Sequence, residues 1–362
     1  MMAKQSSRLR DLYRRVRYHW LTVAFFLGFI TDVILLNRID DLLDNLILLF
    51  YTLLATTALL LLYVGVAERV PGRLAQLLKR YSPMLMQYAF GGLLSGMLIF
   101  YGRSGDWLAS APFLLLILAV ILGNEFVSKR SDRLIYHLAL YFIGLYSYVV
   151  LVVPVLLGRM GDAIFILSGL IALVWVSGVV QLLYRIIPNF MQQQTQRVIF
   201  TLGAIFVGFN ALYFTSVIPP IPLSLTALSI EQSVVRIDTH YRIVSETQPW
   251  YRRVPLVRPV LHPTRDSIAC FARVYAPTRL STEIFHRWEY KAPSGQWQEQ
   301  FRLGYEITGE NTGGYRGYTQ LFALREGVWR CSVETARGQV LGRTSVRVEL
   351  TGEPIATTVR YE

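Results

Sequence analysis

The chain reads as two unlike halves: an α-helical transmembrane bundle of seven spans, followed by an all-β, immunoglobulin-like sandwich. Three observations predict this. Long apolar stretches recur as far as Val217 and then stop. Three prolines, Pro219, Pro220 and Pro222, follow at once and cannot continue a helix. From Ser233 onward apolar residues recur with period two between Gly and Pro turns, the pattern of short strands. A length of 362 residues has room for two such domains.

The hydrophobic fraction is 53% and the charged fraction 17%, against roughly 45–50% and 25% in soluble domains. The net charge is +12, of which +8 lies in residues 1–230. Most of the basic residues there flank apolar stretches, so the expected partner is an anionic lipid bilayer and not nucleic acid. There are two cysteines and no Cys-x-x-Cys, so neither a metal nor a cofactor is expected.

Residues 1–19 carry Lys4, Arg8, Arg10, Arg14, Arg15 and Arg17, with Leu9, Leu12, Tyr13, Val16 and Trp20 at helical spacing. This predicts a basic amphipathic helix on the cytoplasmic membrane face. No small-x-small cleavage site follows, so it is read as a retained anchor. Crossing a hydrocarbon core takes roughly 20 apolar residues. Within residues 20–217 the stretches that qualify are Trp20–Leu36, Leu46–Ala67, Met84–Gly102, Trp107–Leu122, Leu134–Leu157, Ala163–Leu183 and Val198–Val217, the fourth being the shortest. With the N-terminus inside, the cytoplasmic segments hold 15 basic residues and the short outer loops only Arg38, Arg103 and Arg159. That positive-inside bias orients the bundle and puts residues 219–362 outside. In a bacterium this is an inner-membrane protein with a periplasmic C-terminal domain.

Ionisable and amide side chains inside spans are functional candidates by default. Asp32, Gln87, His137 and Asn210 are the residues in question, with Glu125 near His137 at the inner membrane face. Interfacial pairing or interhelical hydrogen bonds account for them, and a transporter or channel using them along a polar path is the alternative. Gly92 and Gly96, and Ala204 and Gly208, have the small-x-x-x-small spacing that lets helices pack closely, within the bundle or between subunits of an oligomer. No His-Glu-x-x-His, Gly-x-Ser-x-Gly or paired-acid pattern is present, so no enzyme is expected.

Residues 218–232 read as a proline-containing linker, with 223–231 either linker or a first short element, and 233–362 as the sandwich domain. Val234–Val244 is one strand or a bent pair. Further strands are expected at Ser267–Tyr275, Ile284–Lys291, Trp297–Ile307, Tyr318–Arg325, Val328–Thr335 and Gln339–Leu350. Alternation puts Trp329, Cys331 and Val333 on one face and Arg330, Ser332 and Glu334 on the other. Ile268, Cys270, Ala272 and Val274 also share a face. Cys270 and Cys331 then both point inward, which leaves a disulfide and two free buried thiols equally open.

The order Phe285-His286-Arg287-Trp288, Gly314-Tyr315-Arg316-Gly317-Tyr318, Gly327-Val328-Trp329-Arg330-Cys331 and Gly338-Gln339-Val340-Leu341-Gly342 resembles a known pattern. It is similar to the C-terminal module of bacterial multi-pass membrane proteins that carry a domain of unknown function, the DUF2914 type. The resemblance covers roughly residues 265–350 and implies an envelope protein without catalytic residues. His286, Trp288, Tyr315, Arg316 and Tyr318 form a candidate ligand-binding set, because aromatic and guanidinium groups suit a sugar, a peptide or an anionic headgroup. Alternation on the strand equally accounts for His286 and Trp288 as core. The expected function is a membrane anchor, scaffold or sensor whose sandwich binds an envelope protein or glycan.

Overall fold

The computed structural model describes residue 27 and residues 30–36, 41–123, 130–249, 258–263, 266–277, 280–308, 314–350 and 356–362. The basic N-terminal helix, most of the first expected span and Glu125 lie outside these. The chain divides into two compact units, one of residues up to Tyr101 with Pro112–Thr215, the other of Gly102–Ala111 with Ser216–Glu362.

The first unit is helical. After a helical stretch over residues 30–35 come α1 (Leu42–Val66), α2 (Gly72–Ser104), α3 (Trp107–Gly123), α4 (Arg130–Leu157), α5 (Asp162–Ile186) and α6 (Pro188–Phe214). The Asp41 carboxylate caps α1 by accepting from the Leu43 N–H at 3.1 Å. Pro188 starts α6, where a missing N–H costs nothing. Five helices, all but α3, are long and apolar enough to cross a membrane by length and composition. The 17 residues of α3 rise about 26 Å, short of a hydrocarbon core of about 30 Å. Seven spans were expected, and five helices of spanning length are what the described residues contain. Two of them run past their apolar stretch. Helix α2 begins with Arg73, Gln76, Lys79 and Arg80, and α6 with a Gln-rich turn before Val198. Segments expected as loops are therefore polar helix ends.

The second unit is all-β: β1 (Ser224–Glu231), β2 (Ser233–Ile237), β3 (His240–Glu246), β4 (Val260–Leu261), β5 (Ser267–Tyr275), β6 (Ser281–Lys291), β7 (Trp297–Thr308), β8 (Tyr315–Phe322), β9 (Gly327–Thr335), β10 (Val340–Val348) and β11 (Thr357–Tyr361). They form three sheets, ordered β1-β5-β8, β4-β10-β9-β6-β7 and β11-β3-β2. Pairing is antiparallel throughout except where β4 joins β10. Strand β1 is the first short element left open for residues 223–231, and Ile218, Ile221 and Leu223 ahead of it are buried. The proline joint is thus packed into the β unit, where Gln339 Nε2 donates to the Ile218 carbonyl at 3.0 Å. Residues 102–111 join the same unit: the Asp106 N–H donates to the Val340 carbonyl and its carboxylate meets Arg343 at 3.3 Å.

Strand β5 shows why three layers form. Ile268 and Cys270 pack with Trp288, Trp329, Cys331, Val346 and Val348 of the five-stranded sheet. Ala269 and Phe271, on the other face, pack with Val234 and Ile243 of the β2–β3 hairpin. A strand apolar at consecutive positions is buried on both faces and so belongs in the middle layer. A third sheet therefore stands beside the two of the expected sandwich.

Candidate functional site

Inward positions of β6 are Ile284, His286, Trp288 and Tyr290, and the β6–β9 register sets His286 opposite Val333 and Trp288 opposite Cys331. Both His286 and Trp288 are fully buried. Thr319 on β8 serves both: Trp288 Nε1 donates to its Oγ1 at 3.0 Å, and His286 Nδ1 lies 3.0 Å from the same oxygen. The Tyr305 hydroxyl lies 2.9 Å from His286 Nε2. Two hydrogen arrangements fit. Either Thr319 donates to Nδ1 and Nε2–H faces Tyr305, or Nδ1–H meets Thr319 and Tyr305 donates to Nε2. The imidazole is neutral in both, and burial pushes its pKa down to about 3. Tyr305 reaches this position because residue 317 is glycine: a Cβ there would meet the Tyr305 ring at 2.5 Å. The Tyr305 ring then stacks on Tyr315, with centroids 6.0 Å apart, and Tyr315 is 38% exposed.

Cys270 and Cys331 form a disulfide, and their sulfurs and a His286 ring nitrogen lie within 4.8 Å of one another. As free thiolates such a set would suit a soft metal. Here the sulfurs bond each other and both ring nitrogens have partners, so the cluster is packed core.

Five residues were a candidate ligand-binding set, with core as the other reading of His286 and Trp288, and the structure separates them. His286 and Trp288 take the core reading, with their polar atoms bonded to Thr319 and Tyr305. Tyr315 faces the same inter-sheet space as Gly317 and Thr319. Arg316 and Tyr318 lie on the opposite face of β8, where the Tyr241 hydroxyl donates to the Arg316 carbonyl at 3.0 Å and its ring meets Tyr318 at 5.9 Å. The reason is the period of the strand: successive residues point to opposite sides.

Two features of the five-stranded sheet were not singled out by sequence reasoning. On the outer face of the five-stranded sheet, the Glu334 carboxylate sits between Arg302 at 2.7 Å and Arg287 at 3.2 Å. Beside it, Glu289 pairs with Arg330 at 2.6 Å. Arg302 stacks over Phe285 at 4.0 Å and Arg330 over Trp297 at 4.1 Å, so these guanidiniums are held in place. Burial alone would raise the Glu289 carboxyl, but the Arg330 hydrogen bond, with Arg287, Arg330 and Arg343 nearby, holds it below the usual carboxylate range. The alternation of Arg330, Ser332 and Glu334 was the available signal. The second feature is β7, a 12-residue edge strand that pairs with β6 on one side and, among the described residues, with no strand on the other. Most of its residues are exposed, including Leu303 at 48%. Strand order across a sheet leaves no local signal in sequence.

In the helical unit the four polar candidates have separate settings. Asp32 is fully buried, with the Tyr51 hydroxyl donating to its Oδ1 at 2.8 Å and Ser95 Oγ bonded to its Oδ2. His137 Nδ1 lies 3.4 Å from the Tyr63 hydroxyl. Asn210 donates to the Tyr146 hydroxyl at 3.0 Å and to the Phe206 carbonyl at 2.8 Å. Gln87 is buried on α2. Tyr51 and Tyr63 are twelve residues apart on α1, about 18 Å along the axis, so Asp32 and His137 do not share a site. Gly92 is filled from within: a Cβ there would strike the Tyr51 ring at 2.5 Å. Gly208 has open space, and nearby Phe200 and Val207 are exposed.

Residues 281–348 match the family model of a protein of unknown function, DUF2914. The DUF2914 match runs from the start of β6 to the end of β10 and contains His286, Trp288, Tyr305, Thr319 and Cys331. Cys270 and the β2–β3 hairpin lie outside it. Among curated proteins none matches the chain. A solved structure of Pseudomonas fluorescens alkylpurine DNA glycosylase AlkC, bound to DNA containing an abasic site analog, aligns over 87% of this chain and 99% of its own. Its identity is 9% and its TM-score 0.20, which carries nothing about fold or function.

Proposed function

We propose that the protein is a multi-pass membrane protein of the bacterial inner membrane whose periplasmic β unit binds a partner protein or glycan of the envelope, as an anchor, scaffold or sensor. Membrane insertion is supported by the five long apolar helices and by outward apolar side chains such as Phe200, Val174 and Leu156, each more than 70% exposed. The first two sheets, joined by the Cys270–Cys331 disulfide, are read as an immunoglobulin-like sandwich, and such a bond suits an oxidising compartment. The observation that carries the binding reading is the open edge of β7. Its outer backbone groups, unpaired with any strand among the described residues, would accept an added strand, and β-strand addition is a common way to capture an extended segment. Glu299 and Glu306 along β7 would select that segment by charge. Photo-crosslinkers at Gln300 and Leu303, in native membranes, test this against a control at Ile237 on the far sheet. An envelope component captured from β7 alone supports the proposal, and equal or absent capture removes it.

A transporter or channel is the second reading. Asp32 alone favours it, since His137 and Asn210 are engaged elsewhere.

A further inference from the structure

Among the described residues, the helical unit contains an acid with no counter-charge. Asp32 is fully buried, and among the described residues no basic side chain is paired with it. A buried carboxylate in that position neutralises itself or binds a cation. The groups around it decide which. From α1 comes the Tyr51 hydroxyl, seated by Gly92, and from α2 comes Ser95. Tyr88 on α2 packs edge-on against Tyr51 at 5.7 Å. All are hydroxyls, and none brings a charge to the acid.

Ser95 Oγ faces two acceptors, Asp32 Oδ2 and the Gly92 carbonyl at 3.0 Å, with one hydrogen to give. With an ionised acid, that hydrogen goes to Oδ2 and the contact with Gly92 O has none. With one proton added, Oδ2–H donates to Ser95 Oγ, Ser95 donates to Gly92 O, and Tyr51 still donates to Oδ1. Every contact then carries a hydrogen and the buried charge is gone.

We propose that Asp32, Ser95 and Tyr51 form a proton-binding site in the helical unit, in which taking up a proton turns the Ser95 hydroxyl from Asp32 toward the Gly92 carbonyl. The site is independent of what the β unit binds. The test is infrared difference spectroscopy of the full-length protein in nanodiscs as pH is stepped. A carboxylic-acid carbonyl band is expected that moves with isotope-labelled aspartate, is lost in Asp32→Asn, and shifts in Ser95→Ala, where the acid loses its acceptor. Asp32→Glu covers the case in which Asp32→Asn does not fold: the band should then respond to labelled glutamate and no longer to labelled aspartate. If no aspartic-acid carbonyl band appears at any pH at which the protein stays folded, the proposal is overturned. Survival of the band in Asp32→Asn, or an unmoved aspartate band in Asp32→Glu, overturns it equally.

Discussion

Replacing His286 by glutamine should abolish a defined part of the acid sensitivity of the β unit. The imidazole titrates near pH 3 when folded, because burial disfavours its charged form, and at about 6.5 when unfolded. Between these values the unfolded chain binds a proton that the folded chain does not. Stability is therefore intact above about pH 6.5 and falls as the pH drops toward 3. At about pH 4.5, two units below the unfolded value, the loss is about 3 kcal/mol. Glutamine keeps a polar side chain for Thr319 and Tyr305 but does not titrate. The window matters, because the Glu289 carboxyl, held low by its arginines, adds its own loss once the pH falls to its unfolded value of about 4.5 and below. Amide hydrogen exchange of β5, β6 and β9 in the full-length protein, corrected for intrinsic rates, reads local opening at each pH. The wild-type advantage over His286→Gln should shrink by about 3 kcal/mol from about pH 7.5 to 4.5. A difference that stays flat would show that the imidazole is not held neutral in the core, and the site geometry would be wrong.

The same core yields further expectations. Thr319→Val leaves Trp288 Nε1 and a His286 nitrogen unpaired, at roughly 1–3 kcal/mol for each, whereas Thr319→Ser should be near wild type in exchange protection. Gly317→Val drives a side chain into the Tyr305 ring and should cost about 1–3 kcal/mol, seen as faster exchange in β7 and β8. The disulfide closes a separation of 61 residues, so Cys270→Ala with Cys331→Ala should cost about 4 kcal/mol in thermal unfolding of the full-length protein. A periplasm-dependent reporter fused after Glu362 should be active, and silence would reverse the orientation.

Much of this was legible in the residues. Period two marked β5 with its bounds, and β6, β7, β9 and β10 within a few residues, because β5, β6, β9 and β10 are each buried on at least one face and β7 turns the half-buried Trp297, Phe301 and Tyr305 away from solvent. Hydropathy marked the helices but not their ends: it reports the apolar core, and a helix such as α2 continues in polar residues past it. Strand β1 was harder, since Ser224–Glu231 follows three prolines and gains its partner, β5, from forty residues downstream. The short β4 and β11 pair with β10 and β3, and such pairings leave little trace in local pattern.

By itself the sequence determined the two-part plan, the place where it changes, that Cys270 and Cys331 point inward, and that His286 and Trp288 share one face of their strand. These are local properties, set by hydropathy and by the alternation of side chains along an extended backbone. The tertiary structure alone decided that β8 carries its candidate residues to two different spaces, that Thr319 and Tyr305 enclose His286, that β7 is left at an edge, and that Ser95 and Tyr51 reach Asp32. Each of those depends on which distant segments pack together, and a contact across many residues is made by the whole core, not by the pattern of either partner.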